Sequence, residues 1–570
     1  MPNTDDSETK PAGELSRRAL IAATGFAGLG LLGSERASAR DGSLHIDGSN
    51  SMEADIDADG HSLVNLDDIS AADDHSSWSS SGSGNGNLQL WDSTQGKPLV
   101  RAREGGELLL DADTKLIGGL SVADWKVVDV VEAGGDPTGG ESINPVLEDE
   151  FADNVVFVFP QGTYYMDARF EKTGFENVAF VGQPRATIRV DEPYEQLSRL
   201  FILGSSTDNT DPSYENSVTF RNLTFDIDNG SSQNPGCPLI IARPTNRLVI
   251  DGVRIEGEMQ FADGSYDGND GYATVNPWVT GEGGHGYVSI VARDGGKYDP
   301  DTGSTNHPVG IGVQSESKGI LHFYGCDIRG FPNNGLYIKG GERAVIERCF
   351  AANNQVANIR TGQNMSIRDC HVRVDGNVNS DFGKTNGIRI DEGNTIVERT
   401  KVEMLDGDGA AVKQLFKDDG EVTVRNVDIT LDVGTIRALD ITGADATDES
   451  VYDNVRIKGS GSDTYNYAVK VTRPYVTFRN CHVNVPDMRG ITLQAPYCTI
   501  NGGYLTSNQY RALGGSGSAP DGDRLTVRDL RLGGSLHVPS DWENVTLADI
   551  RLDGGSVDVD ASDTVERNVR

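Results

Sequence analysis

From about residue 218 the chain repeats one short pattern of apolar and polar positions. VTFRNLTFD (218–226), LVIDGVRIEG (248–257), LHFYGCDIRG (321–330), AVIERCFAAN (344–353), MSIRDCHVRV (365–374), TIVERTKVEM (395–404), VTVRNVDIT (422–430), VTFRNCHVNV (476–485), LTVRDLRLGG (525–534) and VTLADIRLDGG (545–555) share it. The pattern reads apolar, two polar, small apolar, one polar, apolar. Its anchors Phe323, Ile346, Ile367, Val397, Val424, Tyr452, Phe478, Ile500, Val527 and Leu547 are separated by 23, 21, 30, 27, 28, 26, 22, 27 and 20 residues. Short β-runs at this period, punctuated by Gly and Asn, predict a parallel β-solenoid in which each repeat is one coil. No coil can bury its own apolar face, so neighbours must stack, and the fold class is all-β.

Each coil carries a second strand between anchors: GIGVQ (310–314), GLYIK (335–339), ANIR (357–360), GIRID (387–391), AAVK (410–413), ALDIT (438–442), AVKVT (468–472) and GITLQ (490–494). Aligned on the penultimate apolar residue, Val313, Ile338, Ile359, Ile390, Val412, Ile441, Val471 and Leu493 point inward. Alternation then predicts two outward columns. One holds Gln314, Lys339, Arg360, Asp391, Lys413, Thr442, Thr472 and Gln494. The other holds Gly312, Tyr337, Asn358, Arg389, Ala411, Asp440, Lys470 and Thr492. Lys339, Arg360, Arg389 and Lys413, with Asp391, Tyr337 and Asn358, would share one basic patch.

The N-terminal part differs. LSRRALIAATGFAGLGLLGSERASAR holds paired Arg17 and Arg18, an apolar run from Ala19 to Leu32, and Ala37-Ser38-Ala39. Residues 1–39 therefore read as a twin-arginine export signal, with an apolar run too short for a comfortable membrane span of about 20 residues. No later segment reads as a span, and the expected location is secreted or cell-surface. Residues 40–124 read as a small β attachment or capping region, with SSWSSSGSGNGN (76–87) as a Ser/Gly linker by composition. Residues 125–570 form the solenoid, interrupted by a Gly-, Asp- and aromatic-rich insertion at 258–307 that holds His285 in GGHGY. Such an insertion would overhang the sheet as a lid.

Composition sharpens this picture. Asp and Glu outnumber Lys and Arg by 86 to 50, a net charge of −36, so the basic patch stands against the trend of the chain. The spread of acids without a single block reads as a solubilising surface of the kind halophilic proteins carry. No basic domain or arm is present, which excludes nucleic acid as the expected partner. Of six cysteines, Cys326, Cys349, Cys370 and Cys481 fall in the small-apolar column with Leu223, Val253 and Val427, and read as buried free thiols. None has the spacing of a zinc site.

From about Trp125 the chain resembles the pectate-lyase-like superfamily of right-handed, single-stranded parallel β-helices. The segment VVDVVEAGGDPTGGESINPVLEDEFADNVVFVFPQGTYYM (127–166) is similar to its N-terminal signature: a strand, a Gly/Asp turn, a capping helix, and an apolar strand closed by Phe159-Pro160-Gln161-Gly162-Thr163-Tyr164. The segment GGDPTGGESI departs from the more usual paired aspartates. The resemblance implies a right-handed β-helix and a sheet groove that binds an acidic, uronate-containing polysaccharide. It does not fix the reaction, because lyases, hydrolases, epimerases, tailspikes and adhesins share the architecture.

β-Elimination needs a cation to neutralise the uronate carboxylate and a base to take the adjacent proton. Arg360 and Lys339 are the expected carboxylate clamp, with Asn358 and the loop His285 as further substrate-binding residues. Lys413 or Arg389 is the expected base, and Tyr337 the acid for the leaving oxygen. Asp391 is the candidate ligand for Ca²⁺, although hard-cation sites usually collect 6–8 oxygens. Two readings stand beside the lyase. One is a non-catalytic glycan-binding adhesin or tailspike-like module, which would form a flat face and a trimer through residues 40–124. The other is a polygalacturonase-like hydrolase, hinted at by Asn209-Thr210-Asp211, Gly284-His285-Gly286 and Arg456-Ile457-Lys458. For hydrolysis, Asp391 and Asp440 would lie two coils and roughly 9–10 Å apart.

Overall fold

In the computed structural model the described residues are 125–570 without 191–198, 205–214, 229–237, 260–272, 297–306, 377–384, 416–419, 433–436, 444, 460–466 and 516–523, together with strands between 68 and 121. The chain divides into two compact units, Met1–Trp125 and Lys126–Arg570. In the first unit, Asp68–Ser70, Ser76–Ser80, Leu88–Asp92, Lys97–Ala102 and Leu108–Leu110 form an antiparallel meander. The first part of the expected Ser/Gly linker is thus a strand, with Trp78 opposite Leu90. The export signal lies outside the described residues, as does Asn209-Thr210-Asp211. Among the described residues no helix is long and apolar enough to cross a membrane.

The second unit is a right-handed parallel β-helix. Each coil visits three sheets in turn, as in Ile320–Tyr324, Asp327–Arg329 and Leu336–Ile338, which pair in parallel with Arg343–Glu347, Phe350–Ala352 and Ala357–Thr361 of the next coil. The anchors form one unbroken register column in the first sheet: Phe323, Ile346, Ile367, Val397, Val424, Tyr452, Phe478, Ile500, Val527 and Leu547 each pair with the next. All are buried. Toward the N-terminus the same column stacks rings, Phe157 on Phe180 at 5.4 Å and Phe180 on Phe220 at 5.0 Å. Aromatic side chains thereby fill the core where the coils begin.

The two polar positions of the repeat explain the corner between the first and second sheets. The second of them adopts a left-handed backbone in coil after coil: Arg348 (φ 52°), Asp369 (54°), Arg399 (47°), Asn426 (53°), Asn454 (50°) and Asn480 (50°). Asn and Asp tolerate this region better than other non-Gly residues. The turn returns the following small residue to the core. Hence Cys349, Cys370 and Cys481 are buried free thiols, as are Cys326 and Cys498; Cys237 lies outside the described residues. A short helix, Asn144–Glu150, starts with Pro145 at its first turn and buries Leu147.

The stretch 258–307 is not a single insertion. Ala273–Pro277 joins the third sheet between Ile240–Ala242 and Val309–Val313, and His285–Ala292 joins the first. Their apolar alternation (YVSIVA) was legible but was masked by the surrounding Gly and Asp.

Candidate functional site

The third sheet carries the basic residues, in a register that differs from the expected one. Its outward column is Gly312, Tyr337, Arg360, Arg389, Lys413, Asp440, Lys470 and Thr492, each paired with the next. Arg360 therefore stands between Tyr337 and Arg389, not beside Lys339. The strands 357–361 and 410–415 are shifted by two residues from the expected alignment. Thr361 and Gln414, not Ile359 and Val412, sit level with Ile338, Ile390 and Ile441, and both are fully buried. The core accepts them because their polar atoms are satisfied. The Gln414 amide donates to Ser450 Oγ at 2.9 Å and its carbonyl accepts from Tyr452 Oη at 2.8 Å.

A two-residue slip preserves the face, so every expected basic side chain still points outward. Asn358 does not. It is fully buried at the corner entering the third sheet, where its side-chain oxygen accepts from the Asn354 backbone N–H at 3.0 Å and side-chain amide at 2.9 Å. It shapes the turn and is corrected from substrate-binding to structural. His285 is exposed at the start of its strand, in register between Arg247 and Ile320 of the first sheet. It is neither on a lid nor on the sheet of Tyr337, Arg360, Arg389 and Lys413.

Asp391 organises the centre of the face. Arg389, two residues before it, donates Nε–H to Asp391 Oδ1 at 2.7 Å, and Arg360, one coil earlier, donates Nε–H to Oδ2 at 2.7 Å. The three side chains are 20 %, 17 % and 13 % exposed for Arg389, Arg360 and Asp391. The column between Lys339 and Asp391 holds Gly362, which leaves no side chain between Arg360 and the carboxylate. The Arg360 guanidinium also lies over the Tyr337 ring at 4.5 Å, with Lys339 Nζ at 5.4 Å from the same ring. Asp440 accepts from Arg437 at 3.2 Å while standing in register between Lys413 and Lys470.

This geometry bears on two expected roles. Both oxygens of Asp391 already receive guanidinium N–H groups, and the surrounding charges are cationic, so the donor set does not fit Ca²⁺ there. Tyr337 and Lys413 are three strand spacings apart, roughly 14 Å, too far to serve one scissile bond together.

The first sheet shows what a self-satisfied charge column looks like. Glu347, Arg368, Glu398, Arg425, Asp453 and Arg479 alternate in sign along the register, with Arg368 to Glu347 at 2.7 Å and Arg425 Nε to Glu398 at 2.7 Å. In the third sheet, by contrast, Arg360, Arg389 and Lys413 are adjacent cations. One cluster on the first sheet escaped the sequence reading. His322 is nearly buried, bonded to Glu347 at 3.1 Å and edge-on to Tyr287 and Tyr324. Burial holds its imidazole below its ordinary value, partly offset by Glu347; burial also pushes Tyr287 up to about 12.

Residues 302–439 match the sequence family described as "Right handed beta helix region". No curated protein matches the sequence significantly. Among solved structures the chain is similar to the ORF18 protein of Geobacillus virus E2, at 14 % identity over 67 % of this chain and 66 % of that one, TM-score 0.35. It is similar to the A-module of mannuronan C-5 epimerase from Azotobacter vinelandii, at 11 % identity over 77 % of this chain and 100 % of that one, TM-score 0.34. It is also similar to the surface protein and adhesin PfbA of Streptococcus pneumoniae, at 10 % identity over 78 % of this chain and 100 % of that one, TM-score 0.28. Likenesses this distant carry no argument about chemistry.

Proposed function

We propose that the protein is exported by the twin-arginine route and engages an acidic, uronate-containing polysaccharide along the third sheet. The supporting observation is the run of adjacent cations Arg360, Arg389 and Lys413 in register on a chain of net charge −36. Like charges on neighbouring strands repel, and Asp391 lies against Arg360 and Arg389 within the face. A row of carboxylates is the ligand complementary to such a run. The Asp391 clamp is itself an instance of the recognition: two guanidinium groups already hold a carboxylate by short charge-assisted hydrogen bonds.

The reaction this arrangement serves best is β-elimination. Arg389, with Arg360, would neutralise the uronate carboxylate. Lys413, one strand further, would act as the neutral amine, a form that neighbouring cations favour, and take the proton from the carbon next to it. The electron pair of that C–H bond forms the ring double bond as the glycosidic C–O bond breaks. The leaving oxygen takes a proton from a group near Lys413 or from water, not from Tyr337, which lies three strands away. A second reading, a binding surface without turnover, is favoured by the engagement of both arginines with Asp391. Hydrolysis by paired carboxyls is disfavoured, because Asp391 and Asp440 are each bound to arginine.

The test is incubation with polyuronates and neutral glucans, following ultraviolet absorbance of an unsaturated uronate and retention in affinity electrophoresis. Absorbance that rises and is lost in Arg389→Ala supports the lyase. Retention without absorbance or new reducing ends supports the binding surface. Absence of both retention and product would refute the proposal.

A further inference from the structure

At the last coils the third sheet changes character. The column beside the cationic one runs Arg437, Tyr467, Arg489 and Arg511, then steps down to Ser535 and Ser556. The step opens a polar cavity of about 690 Å³ edged by Arg489, Arg511 and Tyr510 and floored by these serines with Gly533, Gly534, Gly554 and Gly555. The floor is close-packed backbone: a Cβ on Gly555 would meet the Gly534 carbonyl oxygen at 2.2 Å, and one on Gly534 the Ser507 carbonyl oxygen at 2.7 Å. At these two glycines the backbones of neighbouring coils lie in direct contact. Arg489 is set in place by the Tyr467 hydroxyl at 3.2 Å, with its guanidinium 5.3 Å from the ring centre. Asp553, the acid at the rim, is held by Arg531 and by Arg551 at 3.3 Å.

We propose that this cleft is a second saccharide subsite, separate from the cationic column, taking a sugar unit that carries an anionic group, carboxylate or sulfate, with Arg489 and Arg511 on the anion. The inference rests on the acidic-polysaccharide reading above. Five strand spacings separate the Arg389 strand from the Arg511 strand, roughly 24 Å along one face. A long acidic chain reaches both places, and a short one occupies one at a time. Two linked contacts then give long chains a gain over short ones that neither site has alone.

The experiment measures binding of short and long glucuronate-containing oligosaccharides, and of sulfated oligosaccharides on a neutral backbone, to the full chain by calorimetry. Ser556→Trp fills the cleft, and Arg511→Ala, an exposed change, removes one cation without filling it; urea midpoints equal to wild type certify both folds. The expected result is a loss of at least about tenfold for long chains in each variant. Short acidic oligosaccharides should titrate two sites on the wild type and one each on Arg389→Ala and Ser556→Trp. Whichever anion binds identifies the group. Unchanged binding in both cleft variants, with binding abolished by Arg389→Ala, would overturn the cleft and leave the cationic column standing. The converse would uphold the cleft and refute the column. No binding of any acidic saccharide to wild type would overturn both.

Discussion

Replacing Asp391 by Asn tests the logic of the face on the protein alone. The substitution keeps shape and one acceptor but removes the carboxylate shared by Arg360 and Arg389. Unit charges about 5 Å apart at an effective dielectric of about 20 repel by about 3 kcal/mol. Breaking a buried pair by removing one partner costs about 3–5 kcal/mol. Side-chain exposures of 13–20 % place this network toward the lower end. The expected loss is about 3 kcal/mol at ~0.01 M salt, where the screening length is about 30 Å, and roughly half of that at ~1 M, where it is about 3 Å. The assay is urea unfolding followed by tryptophan fluorescence, since Trp278 and Trp542 are both buried in the stack. Comparing variant with wild type at each salt concentration removes any general salt dependence of so acidic a chain. A polyuronate added at low salt should recover part of the loss. A loss independent of salt and polyuronate would mean that Asp391 matters only as a hydrogen-bond acceptor, and no loss at all would mean the adjacent cations need no counter-charge. Either result refutes the reasoning.

Three further expectations follow from the same coils. The imidazole of His322 is held below its ordinary value by burial among Tyr287, Tyr324, Glu347 and Arg368, so the unfolded chain binds more protons there than the folded one. Its contribution to stability is therefore present above about pH 6.5 and is lost as pH falls below it; His322→Gln should flatten that part of a stability–pH profile. Cys326, Cys349, Cys370, Cys481 and Cys498 are buried, and burial pushes the Cys481 and Cys498 thiols up to about 12, so a thiol reagent should modify them only after unfolding. Gly340→Ala places a Cβ 1.5 Å from the Gln314 carbonyl oxygen of the preceding coil, so the stack must shift, and a fall of several degrees in the thermal midpoint is expected.

The coil was legible because its anchors are both apolar and regularly punctuated, and every expected anchor pairs with the next in the structure. The left-handed corner residues were visible as the second polar position, though not as a conformation. What failed was the register of the third sheet. Alternation has a period of two, so it fixes the face and cannot distinguish a residue from its neighbour two positions away. Thr361 and Gln414 broke the alignment because polar residues with buried partners, such as Ser450 and Tyr452, can occupy core positions. The partners lie in other coils, so no local pattern announces them. Asn358 was misplaced for a related reason: a corner can turn two successive residues inward, and the strand rule does not hold there. His322 gave no sequence signal beyond an ordinary strand position. The cleft at Ser535 and Ser556 depends on glycines whose meaning emerges only from packing.

Covalent footprinting of lysines gives the most direct test of the central claim. Lys339 and Lys413 belong to the proposed face, whereas Lys401, 52 % exposed beside Glu403, belongs to the second sheet. An amine-acylating reagent and peptide mass spectrometry would follow each lysine with and without polyuronate. The account predicts protection of Lys339 and Lys413 and unchanged labelling of Lys401, with protection lost in Arg389→Ala. Protection of Lys401 instead, or of none of the three under conditions in which the polyuronate is bound, would contradict it.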